Sequence, residues 1–250
     1  MTAFDYSSTS DAIRDDLALA HRQAWIHVAK AGSWLTGAER VAVADETRRA
    51  RSCALCSERK AALSPFSVKG DHEHGGVLSQ ALVDAVHRVV TDAGRLSSTW
   101  YQSLLEDGLS PESYVEALGV VVLVVSVDEF HHAMGMPPEP LPAPLPGEPS
   151  GYRPQGAEVE EDAAWVPVLS PKRMGPSEAD LFAGMPAGQA PNVVRALSLV
   201  PNEVRAWREL AGAQYLSPQQ MQDFDSPRAI DRAQIELVAG RVSALNECFY

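Results

Sequence analysis

The chain has 250 residues, with 21 basic side chains against 33 acidic ones, a formal charge of −12 and 45% apolar residues. That balance excludes a disordered polymer and a strongly basic nucleic-acid clamp, and its acidity disfavours phosphate-rich partners. Three cysteines, an odd number, point to thiol or metal chemistry rather than a disulfide scaffold. The first residues are polar and lack an apolar signal core, so no secretory signal and a cytoplasmic location are expected. The longest apolar run, residues 115–127, is interrupted by Glu116 and falls well short of the roughly 20 residues that cross a bilayer. No membrane partner is expected.

In chain order, Ile13, Leu17, Ala20, Ala24 and Val28 recur at helical spacing before Gly32. Thr36-Gly37-Ala38-Glu39 then has the form of a capping box opening a second helix. Cys53-Ala54-Leu55-Cys56 follows, with Ser52 as a candidate N-cap. Leu78, Leu82, Ala85, Val86 and Val89 form another stripe, closed by Gly94. Ser110-Pro111-Glu112 combines an N-cap, a first-turn proline and an acidic residue, and predicts a helix running toward Gly135. Periodicity alone would allow 120–127 to be a buried strand; the cap and the lack of a partner strand favour helix.

Eight of the 18 prolines fall between Pro137 and Pro154, a density no helix survives. Followed by the acidic stretch 158–162, this predicts a solvated, semi-rigid connector over 137–164, between an N-terminal helical part (1–136) and a C-terminal one (165–250). In the latter, residues 192–200, 201–211 and 217–224 read as short helices. Asp231-Arg232-Ala233-Gln234 repeats the capping-box form. Cys53 lies 17 residues after Thr36, and Cys248 lies 17 after Asp231, while Ala38, Val43 and Ala44 match Ala233, Val238 and Ala239. These few matches suggest an internal repeat.

The C-x-x-C spacing brings two sulfurs together on the first turn of a helix, where free N–H groups and the helix dipole favour a thiolate. Arg59 and Lys60 add positive charge one turn on. Lowering a thiol pKa from about 8.5 to about 6.5 raises its thiolate fraction at pH 7 from roughly 3% to roughly 75%, enough to define a redox site. A metal reading stays open beside it: Cys53, Cys56, His72 and His74 approximate a four-ligand zinc set. Glu129 and His132 have carboxylate-metal spacing, but the chain offers no second copy of it. His131 and His132 read as polar residues near a helix end, and Trp25, Trp34, Trp100 and Trp207 as core or interface anchors. A Gly-rich phosphate loop and a G-x-S-x-G elbow are both absent, so nucleotide and serine-hydrolase readings lack support.

The segment 235–250, with Glu236 and Cys248, resembles the alkylhydroperoxidase D-like and carboxymuconolactone decarboxylase-like superfamily, in its peroxidase-related branch. That branch carries a glutamate, eleven residues, C-x-x-C, and a histidine four residues later. Glu236 and Cys248 match the glutamate and the first cysteine, and 191–197 is similar to the segment before the family's catalytic helices. A straight helix would separate Glu236 from Cys248 by about 18 Å, so the family's relay implies a reversal near Leu245 and Asn246. The resemblance is strong over the last 85 residues or so and weaker over 34–136. Copy one departs from the pattern: Val41 stands where the glutamate is due and Lys60 where the histidine is due, leaving Glu46 as the nearby candidate base. Copy two stops at Tyr250, one residue before the second cysteine is due.

The resemblance implies an all-α chain of two tandem alkylhydroperoxidase-like helical domains, the second incomplete. It implies thiol-dependent peroxide reduction or dithiol–disulfide exchange, with Cys53, Cys56, Glu46, Glu236 and Cys248 as site residues. A hydroperoxide would be the substrate and an external dithiol the reductant; no haem, flavin, nicotinamide or other cofactor is implied. A carboxymuconolactone decarboxylase-like lyase is the lesser alternative. A non-catalytic helical module with structural or zinc-bound Cys53 and Cys56 is the other. Apolar surface left by an unfinished second copy implies a homo-oligomer. A reading frame that continues past Tyr250 is a further expectation, with a nonsense change, an artificial cut or a selenocysteine codon read as stop as its accounts.

Overall fold

Helix boundaries follow the cap chemistry of the sequence. The computed structural model describes residues 4–7, 12–161, 164–223 and 228–245. Helix α1 (Asp15–Ala29) buries Leu17, Ala20, Ala24 and Val28. Helix α2 (Gly37–Ala50) starts at the expected capping box, with Thr36 Oγ1 accepting from Glu39 N–H and the Glu39 carboxylate accepting from Thr36 N–H. Helix α3 (Ala54–Ala61) follows, then α4 (Gln80–Asp92), capped by Ser79, and α5 (Ser98–Glu106), capped by Ser97. Ser110 caps α6 (Pro111–Ala133), and the valine-rich segment is helical throughout. Gly135 ends α6 with φ 66°, where Met136 N–H reaches His131 O and Gly135 N–H reaches His132 O. Only glycine takes that left-handed turn without strain.

Beyond the proline-rich segment lie a two-residue antiparallel pair, β1 (Val159–Glu160) and β2 (Val168–Leu169), in register Val159 to Leu169. Four α-helices follow among the described residues: α7 (Asn192–Arg195), α8 (Pro201–Gln214), α9 (Pro218–Gln222) and α10 (Arg232–Leu245). The described chain is thus mostly helical, and none of its helices is long and apolar enough to cross a membrane.

Helix α6 is apolar nearly all round, so it must be surrounded. Helices α2, α4 and α8 pack on it, and α1 closes the bundle against α2 and α8. Val194, Leu197, Val204 and Leu210 join Val28, Val43, Val86 and Val124 in one apolar cluster, so residues on both sides of the proline-rich segment share a core.

That segment is largely exposed, yet it is pinned to the helices along its length. Residues 137–154 carry no helix or strand, but their backbone is docked. Pro140 O accepts from Trp25 Nε1 at 2.9 Å, Glu139 O from Arg48 Nη2 at 2.8 Å, and Leu145 N–H donates to Ala29 O at 2.8 Å. Prolines stop the chain from satisfying its own carbonyls, which leaves them for neighbouring donors.

Candidate functional site

The three-residue link between α2 and α3 sets the cysteines. Backbone bonds from Arg51, Ser52 and Cys53 back to Arg48, Arg49 and Ala50 close the end of α2 and launch α3 at once. Cys53, not Ser52, is the N-cap residue of α3; the Ser52 hydroxyl instead donates to Arg49 O. Cys56 sits on the first turn, and both thiols are free and buried.

Two imidazoles converge on them. His72, in the loop before α4, lies with Nδ1 3.4 Å from Cys53 Sγ and 3.6 Å from Cys56 Sγ. His87, on α4, lies with Nδ1 3.4 Å from Cys56 Sγ. One ligand atom from each of the four residues falls within 4.8 Å of the others, and all four residues are buried.

Each ring is held from behind by a carboxylate. His72 Nε2 is 2.9 Å from Asp84 Oδ1, and His87 Nε2 is 3.0 Å from Glu46 Oε2. Asp84 also accepts from Arg59 at 2.6 Å and from Trp100 Nε1 at 2.7 Å. Glu46 accepts from Gly75 N–H at 2.6 Å, tying the loop that carries His72 to α2. Such partners fix ring orientation and tautomer.

Burial disfavours a cation at His72, but the hydrogen bonds it donates to Asp84, Cys56 and Cys53 overcome this and raise its pKa to about 10. Burial also pushes the Cys53 thiol up; His72 and the backbone and side chain of Cys56 more than reverse this, and its pKa is lowered. Burial and the neighbouring His72 cation push His87 down despite Glu46. These shifts favour the charged imidazolium at His72, move Cys53 toward the thiolate and favour the neutral ring at His87 beside Cys56.

A pocket of about 660 Å³ reaches Cys56. Val90, Val125 and Val242 supply apolar wall, and Lys60, Arg51 and Glu129 supply a polar rim on which Arg51 and Glu129 pair at 2.7 Å.

Of the residues singled out from sequence, Cys53, Cys56, His72 and Glu46 come together here. His74 does not: the chain turns outward at Gly76 (φ 79°), and His74 is exposed, with its Nδ1 accepting from Gly76 N–H. His87 takes the fourth place. Glu129 is engaged by Arg51, and His132 is exposed near the end of α6. Glu236 is exposed on α10, where Arg232 and the Tyr215 hydroxyl bind it at 2.6 and 2.9 Å. Cys248 and the expected reversal beyond Leu245 lie outside the described residues. Sequence reasoning missed His87 and Asp84. Their signal was a polar pair three residues apart, with the histidine interrupting the apolar stripe of α4 beside Val86.

Comparison of the chain with protein-family models, curated proteins and solved structures finds no match.

Proposed function

We propose that the chain is a thiol-dependent peroxidase or dithiol–disulfide oxidoreductase working through Cys53 and Cys56. The observation that carries this reading is the line from Cys56 Sγ through His87 Nδ1 and Nε2 to Glu46, at 3.4 and 3.0 Å. A nucleophile in reach of a base, itself oriented by a third group, is the arrangement that activates a thiol. A pocket whose lining includes Cys56 offers space for a small hydroperoxide beside that residue.

In the reaction, His87 takes the Cys56 proton and the thiolate attacks the peroxide oxygen. The O–O bond breaks, an alcohol leaves with one proton, and Cys56 becomes a sulfenic acid. Cys53 thiolate then attacks the Cys56 sulfur, forming the S–S bond and releasing water after a second proton is taken up. The two sulfurs supply the two electrons, and an external dithiol returns them. The same reading takes α2 and α10 as corresponding helices of two alkylhydroperoxidase-like copies. Its support is the pair of capping boxes, since Asp231 Oδ1 accepts from Gln234 N–H at 2.9 Å and Gln234 Oε1 from Asp231 N–H at 3.0 Å.

The test is peroxide titration of reduced, chelator-treated protein, followed by peptide mass spectrometry. Loss of two hydrogens from the peptide holding both cysteines is expected; Cys53→Ser should trap a dimedone-reactive sulfenic acid on Cys56, and Cys56→Ser should show neither product. Thiols that stay reduced under excess peroxide would overturn the reading.

A further inference from the structure

We infer that Cys53, Cys56, His72 and His87 form a tetrahedral binding site for a divalent, zinc-like cation, and that the bound ion masks the dithiol. With metal–sulfur bonds of about 2.3 Å and metal–nitrogen bonds of about 2.05 Å, a tetrahedron has sulfur–nitrogen edges of about 3.6 Å. The three such edges seen here are 3.4, 3.6 and 3.4 Å. Hydrogen bonding between thiol and imidazole requires only one partner per sulfur; four ligand atoms gathered within 4.8 Å of one another converge closely enough for a small contraction to place them around one cation.

The donor set selects the ion. Two thiolates and two imidazoles suit zinc, or cobalt in its place, and exclude magnesium and calcium, which take oxygen ligands. Both rings present Nδ1 inward, and each Nε2–H is placed to donate to a carboxylate, Asp84 or Glu46. That second layer is the usual support of a metal-bound histidine, and it occurs on both rings. Two thiolates neutralise the ion's charge, so the buried site carries no net excess from its four ligands.

Metal binding needs nothing from the redox reading; its effect on peroxide does. All four positions are filled by protein atoms, so the site is closed and the sulfur electron pairs that would attack peroxide are engaged by the ion. Zinc and hydroperoxide then compete for the same two sulfurs.

Cobalt(II) titration of the reduced full chain tests binding. One equivalent should give the intense visible bands of a tetrahedral ion with sulfur-to-cobalt charge transfer, and zinc should displace it. Glu46→Gln and Asp84→Asn keep all four ligands and should each weaken binding by roughly 10- to 100-fold. His74→Ala should leave it unchanged, and His87→Ala should abolish the tetrahedral spectrum. A weak octahedral spectrum with the unaltered chain, or equal loss in His74→Ala and His87→Ala, would overturn the site. For masking, disulfide formation by hydrogen peroxide should be slower with one equivalent of zinc than with chelator, and an equal rate would overturn it. Metal binding without any peroxide-driven disulfide after chelation would sink the redox reading and the masking together, leaving the site itself standing.

Discussion

Arg40 has no exposed surface and faces two carboxylates. Its Nη1 lies 2.7 Å from Glu116 Oε1 and 2.8 Å from Glu203 Oε1, and its Nη2 donates to His27 O at 3.2 Å. His27 Nε2 shares Glu203 at 3.0 Å, and Glu116 also accepts from Ser33 and Trp34 N–H at 2.9 and 2.8 Å. One guanidinium thus binds α2 to α1, α6 and α8. Buried charges of this kind add little net stability when complete, but removing one partner strands the others. Arg40→Met should therefore destabilise the protein by about 3–5 kcal/mol in urea unfolding. A loss below roughly 1 kcal/mol would mean that water reaches both carboxylates.

Gly119 lets α8 approach α6. A Cβ there would stand 2.3 Å from Glu203 Oε2, 2.6 Å from its Cγ and 2.7 Å from its Cβ, so relief would require moving the base of a buried side chain. Gly119→Ala should cost about 1–3 kcal/mol, as overpacking does. Gly94→Ala, with no atom within 4 Å of the added carbon, is the control and should leave the unfolding midpoint near that of the unaltered chain. The helices themselves were legible because their determinants are local: the boxes at Thr36 and Asp231 and the cap at Ser110 are written in consecutive residues. What was not legible depends on distant partners. The proline-rich segment looks solvated in sequence, yet Trp25 and Arg48 bind its carbonyls. The site was legible where it is contiguous, at Cys53 and Cys56, and Glu46 was within reach. His87 was not, because it sits 31 residues from Cys56 and the packing of α4 on α2 and α3 brings it there.

The continuous core makes the whole chain respond to acid through groups far from the cysteines. His21 has no exposed surface, and burial, reinforced by His131, lowers its pKa from 6.5 to about 4. Gln214 Nε2 also donates to Ser126 O, so its other hydrogen points at His21 Nε2, 3.2 Å away; that nitrogen is an acceptor, and protonating it would set two donors face to face. Burial would raise the Glu203 carboxyl, but Arg40 and His27 hold it down from 4.5 to about 2. Both folded-state pKa values lie below their unfolded values, so in each case the unfolded chain binds its proton first as the pH falls. Stability contributed by His21 is complete above about pH 6.5 and is lost on the way to about 4; that of Glu203 is complete above about 4.5 and is lost on the way to about 2, worth roughly 3 kcal/mol in full. Urea unfolding at a series of pH values should show two successive declines. His21→Gln should flatten the upper one by up to about 1.4 kcal/mol per pH unit and leave the lower one in place, the other histidines cancelling in the comparison. Identical upper slopes in the two proteins would mean that His21 gains its proton as readily folded as unfolded, and that neither its burial nor the Gln214 amide holds the neutral ring.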